Sequence, residues 1–167
     1  MRLSKYQQPG SILESSADAA LELQKVLATA PASLSAFSDG EASLPLIAGK
    51  WSRKQILGHL IDSAANNHHR FVRAQIEKSS EKSFEMPGYA QNEWVATNAY
   101  QQRNWNDLVT FWTSYNQHIL HLILTARIEH LTIPCKVAGD ESGSLEFLMI
   151  DYVAHLQHHL HQILATR

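Results

Sequence analysis

The side chains with the clearest chemical potential are two histidines near the end of the chain, His155 and His159. Residues four apart on a helix lie on one face, one turn apart, so both imidazoles point the same way. One helix gives two nitrogen ligands to a metal ion in this arrangement. The chain contains ten histidines, however, and an ordinary histidine-rich helix is the alternative interpretation.

A polar stripe on an earlier predicted helix is the second candidate. At 100° per residue, His59, Ser63, Asn66 and Arg70 share one side of that helix, apart from its apolar face. The stripe is either the solvated side of the helix or the wall of a site. In a site, His59 could supply a third metal ligand. Asn66 and Arg70 could bind a substrate carboxylate, because a guanidinium binds carboxylates in bidentate fashion; a surface salt bridge is the alternative.

Two acidic residues are spaced to support such ligands. Asp62 lies one turn from His59, and Asp151 lies one turn before His155. Each carboxylate could accept a hydrogen bond from a ring N–H and so orient a metal-bound imidazole. The alternative is that both are ordinary exposed acids, and we favour that alternative for Asp151.

Four segments with a 3.6-residue apolar period predict the helices that must position these side chains. Their start signals are capping boxes at 11–14 and 52–55, Asn104, and Ser144. The first helix is expected to end before Pro31. No segment alternates over more than a few residues, so strands should be absent or marginal. Four long helices in one chain predict an all-α four-helix bundle, as a single domain over 1–167.

The predicted connections between these helices, at 31–50, 78–103 and 131–143, are long for a small domain. Long connections usually carry function or pack as ordered lids. Tyr89 and Trp94 lie on the second connection, where they either cover the site or pack in the core.

Bulk properties exclude several classes of partner. The net charge is -2 with basic residues spread along the chain, so we expect neither nucleic acid nor an anionic membrane as a partner. No apolar run approaches the ~18 residues of a membrane span, and we expect no signal segment. The lone Cys135 excludes an internal disulfide and fits the cytoplasm; we interpret it as inert rather than nucleophilic.

Several motifs together resemble the DinB-like superfamily, and within it the YfiT branch, which includes bacillithiol S-transferases. The resemblance runs from about Lys50 to the C-terminus. The motifs are Trp51-Ser52, Gly58-His59-Leu60-Ile61-Asp62-Ser63, Asn66, Arg70-Phe71, Pro87-Gly88-Tyr89, Trp94-Val95, and Tyr152, His155, His158-His159 and Gln162-Ile163.

This resemblance implies a four-helix bundle with long crossover connections that binds Zn or Ni. One histidine of the second helix and a His-x-x-x-His pair of the fourth hold the metal in that family, which carries over onto His59, His155 and His159. It also implies a homodimer. Two departures concern substrate chemistry: Ala90 stands where the family commonly has an acid, and Gln162 where the branch often has histidine.

Three neutral imidazoles with one open position form a catalytic type of metal site, although imidazoles suit Zn, Ni, Cu and Fe alike. The resemblance implies that a low-molecular-weight thiol such as bacillithiol occupies that position, as in an S-transferase. Water with its pKa lowered to ~7 would instead give a hydrolase that uses metal-bound hydroxide. The third hypothesis is a non-catalytic, metal-stabilised stress or binding protein, in which His158 would plug the open position.

Overall fold

The computed structural model describes Tyr6 and residues 13–45, 47–76 and 84–165. Four long helices dominate it: α1 (Ser16–Ser35), α3 (Arg53–Ile76), α5 (Trp105–Leu124) and α6 (Leu145–Leu164). The connections contain two short helices, α2 (Asp39–Ser43) and α4 (Gln91–Thr97), and three strands, β1 (Phe84–Met86), β2 (Pro134–Val137) and β3 (Asp140–Ser144). Single 3-10 turns lie at Tyr100–Gln102 and Ile128–His130.

The long helices form a four-helix bundle, as predicted. Helices α1 and α3 each pack against both α5 and α6, so the order around the bundle is α1, α5, α3, α6. The first two long helices, α1 and α3, therefore lie diagonally opposite each other in the bundle, and so do the last two, α5 and α6. These diagonal steps account for two of the long connections. None of the described helices combines the length and apolarity needed to cross a membrane.

Three of the four predicted helix starts are confirmed. Ser52 and Gln55 form a reciprocal capping box, with N–O distances of 2.9 and 3.2 Å. Asn104 and Ser144 accept hydrogen bonds from the first-turn amides of α5 and α6. The first start is wrong: the capping box of α1 joins Ser15 to Asp18. Residues 11 and 12 of the predicted box lie outside the described residues.

The predicted end of α1 is also wrong, because the helix continues through Pro31 to Ser35. Proline costs a helix one backbone hydrogen bond and introduces a steric clash. Tertiary packing offsets this cost: Leu34 is completely buried, and the Trp105 indole donates a 2.8 Å hydrogen bond to the Leu34 carbonyl. The last turn is therefore stabilised by α5 rather than by local sequence.

A small sheet joins two of the connections, where strands were expected to be absent or marginal. Strand β1 pairs in parallel with β2, which pairs antiparallel with β3. The β2–β3 turn holds Ala138 and Gly139 at φ of 56° and 83°, the left-handed backbone that two-residue hairpins favour. The sheet thus attaches the α3–α5 connection to the start of α6.

Polar contacts fix α3 in register against its neighbours. The buried Arg53 side chain donates to the Ile163 carbonyl at 2.9 Å, which places a cation at the C-terminal end of α6. The Lys54 ammonium lies 2.8 Å from the Asp39 carboxylate, which also accepts from the Trp105 amide. The N-terminal end of α3 is thereby held to both α6 and α5.

Candidate metal centre

Three histidines from two helices meet inside the bundle. One ligand atom each of His59, His155 and His159 lies within 4.8 Å of the other two. The Nε2 atoms of His59 and His155 are 3.1 Å apart. His59 and His155 are buried, and His159 is half-buried. The structure therefore brings together all three residues expected to bind metal.

The positions of these histidines follow from the helices that carry them. His59 lies in the second turn of α3, close to the end that Arg53 attaches to α6. His155 and His159 occupy successive turns of α6, and their rings are 4.5 Å apart at the centroids. The cross-helix contact of Arg53 therefore places the ring of His59 opposite the α6 pair.

The environment favours the neutral form of two of these imidazoles, those of His59 and His159. Burial, together with the nearby His159, lowers the pKa of His59 to about 4. Burial and His158 also lower the pKa of His159, against the opposing effect of Gln162. Neutral imidazoles have a free lone pair, which is the form that binds metal.

The donor set fits a divalent transition metal. Zinc–nitrogen bonds of about 2.0–2.1 Å at tetrahedral angles place two nitrogens about 3.3 Å apart. The His59 and His155 nitrogens are already at 3.1 Å, and the third is within reach. Imidazole ligands suit several such metals, so the donor set does not distinguish zinc from nickel.

Gln162 orients one of the imidazoles, a contact that the sequence interpretation missed. Its Oε1 lies 2.8 Å from Nδ1 of His159, and its Nε2 lies 3.0 Å from Nε2 of His158. If Nδ1 of His159 donates to the amide oxygen, its Nε2 keeps the lone pair. The three-residue spacing between His159 and Gln162 was the available signal. His158 is held by the same amide and is not part of the three-histidine group.

Two aromatic rings flank the histidines, and the sequence interpretation assigned a role to neither. The Tyr6 ring lies edge-on to the His155 ring at 4.8 Å. The Trp51 ring lies 5.3 Å from the His59 ring. Nδ1 of His59 is buried and has no hydrogen-bond partner among the described residues. The centre therefore has aromatic walls as well as nitrogen donors.

Asp62 does not hydrogen-bond to His59, contrary to the role considered for it. Its Oδ1 accepts from the Tyr100 hydroxyl at 2.6 Å and from the Asn98 amide at 2.9 Å. Its Oδ2 and Nδ1 of His59 both lack a partner in the described part of the chain. Burial raises the pKa of Asp62, although both hydrogen bonds oppose that shift. Asp62 thus attaches α3 to the segment between α4 and α5, which contains Asn98 and Tyr100.

The other residues of the predicted polar stripe lie further along α3, and two of them, Asn66 and Arg70, line a cleft of about 260 Å³. Arg70 donates long hydrogen bonds of 3.4 Å to the Asn67 side chain and the Pro87 carbonyl, and Asp151 attracts its charge. Ser63 is buried and hydrogen-bonds to Tyr89. The cleft is lined by Ala65, Asn66, His69, Arg70, Arg73, Met86, Pro87 and Trp94.

Tyr89 and Trp94 pack against each other on the connection, with ring centroids 5.3 Å apart. Tyr89 is half-buried, and Trp94 is 38% exposed. They therefore cover α3 beside the cleft and do not belong to the bundle core. Burial raises the pKa of Tyr89 to about 12, so its hydroxyl stays protonated and can donate.

Comparison with known proteins identifies the same family and the same fold as the sequence motifs. The family model of the DinB superfamily matches residues 22–163. A solved structure, described as "YfiT from Bacillus subtilis is a probable metal-dependent hydrolase with an unusual four-helix bundle topology", has a TM-score of 0.78. The two share 18% sequence identity over 94% of this chain and 89% of that chain, a likeness that shows the fold alone. No curated protein matches the sequence.

Proposed function

Since this chain belongs to the DinB superfamily, we propose that it is a metal-dependent enzyme that transfers a low-molecular-weight thiol, similar to bacillithiol, onto an electrophile. His59, His155 and His159 would hold one divalent transition-metal ion, most simply Zn or Ni. The observation that carries the proposal is the meeting of three imidazoles, two of them buried and one half-buried, with their ligand atoms within 4.8 Å of one another. A metal with three imidazole ligands lowers the pKa of a thiol or water in its open position and supplies a nucleophile at neutral pH.

The surroundings of the imidazoles favour a thiol over water. Hydrolysis of an amide or ester also requires a group that protonates the leaving atom. The three-histidine group of the described residues contains no carboxylate. The Asp62 carboxyl is fixed by Tyr100 and Asn98 through Oδ1, and its Oδ2 is buried and does not hydrogen-bond to any of the three histidines. Thiol transfer needs less from the protein, because coordination alone deprotonates a thiol.

The polar residues beyond the histidines provide room for the rest of the substrate. Ser63 lies one turn after His59 on α3, the Tyr89 hydroxyl interacts with Ser63 and Arg70, and Asn66 and Arg70 line the cleft. We propose that Asn66 and Arg70 bind a polar or anionic group of the thiol. Asn66 donates to the backbone carbonyl of Asp62 one turn earlier, and both hydrogen bonds of Arg70 are 3.4 Å long, so a carboxylate can replace them.

Hydrolysis is the second candidate, favoured by one observation. YfiT, which has the same fold, is described as a probable metal-dependent hydrolase. For this chain, water would take the place of the thiol as the nucleophile. A non-catalytic role is disfavoured, since His158, the expected plug, is held by Gln162 instead. Homodimerisation and a cytoplasmic location stay predictions.

The test is turnover of monobromobimane or chlorodinitrobenzene with a panel of neutral and anionic small thiols, with the metal removed and then restored. We expect a metal-dependent rate with at least one thiol, which His59→Ala abolishes. His161→Ala, an exposed histidine of α6 outside the group, is the matched control and should keep the rate. Arg70→Gln should raise KM for anionic thiols only. A metal-dependent rate on 4-nitrophenyl acetate, with none for any thiol, would replace the transferase by the hydrolase.

A further inference from the structure

A second pair of histidines lies outside the metal centre, on the surface between α3 and α5. His68 of α3 is half-buried and His118 of α5 is exposed. Their Nε2 atoms are 3.4 Å apart. Neither residue belongs to the three-histidine group or lines the cleft.

The geometry of this pair repeats that of His59 and His155. In the metal centre, the two ring centroids are 5.0 Å apart with the rings at 78°. In the surface pair, the centroids are 4.7 Å apart and the rings are at 75°. Both pairs take one ring from each of two packed helices. Both also direct Nε2 at Nε2, the atoms that a bridging ion would contact.

The distance also matches what a shared metal ion requires. Two nitrogens bound to tetrahedral zinc at about 2.0–2.1 Å are about 3.3 Å apart. The observed 3.4 Å lies at that value and is longer than the usual nitrogen hydrogen bond of about 2.9–3.0 Å. Small side-chain rotations are therefore sufficient for both nitrogens to bind one ion.

A tyrosine holds the His68 ring in place. The Tyr115 hydroxyl lies 3.2 Å from Nδ1 of His68, on the side of the ring away from His118. The Tyr115 ring is itself stacked on Phe111, with centroids 5.9 Å apart and the rings at 13°. A hydrogen bond from Nδ1–H to the tyrosine oxygen leaves the lone pair on Nε2, as Gln162 does for His159.

From these observations, we propose that His68 and His118 form a second binding site for a divalent metal ion of the class that prefers imidazole, with solvent as the remaining ligands. The site joins α3 to α5 and stabilises the folded chain, because the unfolded chain does not hold the two rings together. It has two protein ligands where the centre has three, so it binds metal more weakly. The proposal does not depend on the enzymatic function.

The test is calorimetric titration of the metal-free, full-length chain with Zn²⁺. We expect two equivalents for the unaltered chain, the second weaker than the first. His118→Ala should lose the weaker equivalent and His59→Ala the tighter one, whereas His161→Ala should keep both. His68→Asn should repeat the loss seen with His118→Ala, and unchanged melting of both metal-free variants would show that the fold is intact.

Two further measurements separate a specific site from surface coordination. Long-range ¹H–¹⁵N spectra should show that Nε2 of both His68 and His118 shifts with the second equivalent. Zinc should raise the melting temperature of His59→Ala/His155→Ala, which keeps a single histidine of the metal centre, but not that of His59→Ala/His155→Ala/His118→Ala. Saturation at one equivalent in the unaltered chain, or two equivalents in His118→Ala, would overturn the proposal. So would zinc uptake that continues beyond two equivalents with no shift at these nitrogens.

Discussion

Gly58 precedes His59 in α3, and a methyl group there would collide with a buried ring. A Cβ at this position would lie 2.1 Å from Cδ2 and 2.2 Å from Cγ of Tyr100. Ordinary carbon contacts are about 3.5–4.0 Å, so the ring would have to move by more than about 1 Å. Tyr100 has little room to move, since it is 5% exposed and its hydroxyl donates to the buried Asp62.

We expect Gly58→Ala to destabilise the protein by about 3 kcal/mol. Overpacking costs about 1–3 kcal/mol, and loss of the Tyr100 hydrogen bond to a buried carboxylate costs about 1–3 kcal/mol. The higher helix propensity of alanine stabilises the variant by about 1 kcal/mol and so offsets part of this loss. For a chain of this size, each kcal/mol shifts Tm by about 2–4 °C, so Tm should fall by about 6–12 °C.

Thermal unfolding followed by circular dichroism measures this shift. Gly40→Ala in α2 is the matched control, because a Cβ there meets nothing within 4 Å and should leave Tm unchanged or slightly raised. In a Tyr100→Ala background, Gly58→Ala should lose most of its cost, since the obstructing ring is gone. A Gly58→Ala variant that melts within about 2 °C of the unaltered chain would refute the reasoning.

Three further predictions concern the metal centre and the cysteine. In chelator, the folded chain keeps the pKa of His59 at about 4, below the ordinary value of 6.5, so between these values only the unfolded chain takes the proton. The free energy of unfolding is therefore highest above pH 6.5 and falls as the pH drops towards 4. Urea unfolding at pH 7.5 and 5.5 should show that the unaltered chain loses about 1 kcal/mol more stability than His59→Gln does between these two pH values. Equal losses in the two proteins would contradict this. Gln162→Leu removes the acceptor for Nδ1 of His159 and should weaken metal binding by about 10–100-fold in competition with a chelator, an effect that an unchanged affinity would exclude. Cys135 is buried and its pKa is raised to about 11, so iodoacetamide at pH 8 should label it only after denaturation; rapid labelling of the native chain would show that the thiol is accessible.

Local sequence was a good guide where local interactions decide the structure. The starts of α3, α5 and α6 were predictable because Ser52, Asn104 and Ser144 each cap the amides that follow them. The passage of α1 through Pro31 was not, because contacts with α5 offset the local cost. The sheet was also missed, since its strands are three to five residues long and come from two separate connections.

In the candidate site, too, local spacing predicted some contacts and tertiary packing determined the others. The pairing of His155 and His159 followed from their four-residue spacing, whereas the approach of His59 was expected mainly from family resemblance. The contact of the Tyr6 ring with His155 and those of Asp62 with Asn98 and Tyr100 join residues that are distant in sequence. The Trp51 ring reaches His59 from the segment just before α3. No periodicity within one helix encodes such contacts, because the packing of neighbouring elements determines them.

The central claim is that His59, His155 and His159 hold one metal ion, and metal content tests it most directly. Protein loaded with zinc or nickel is passed through gel filtration without free metal, which retains only tightly bound ions, and is then assayed by elemental analysis. The unaltered chain and the exposed-residue control His161→Ala should each retain one ion per chain. His59→Ala and His159→Ala should each retain none, and an unchanged metal content in either variant would contradict the account.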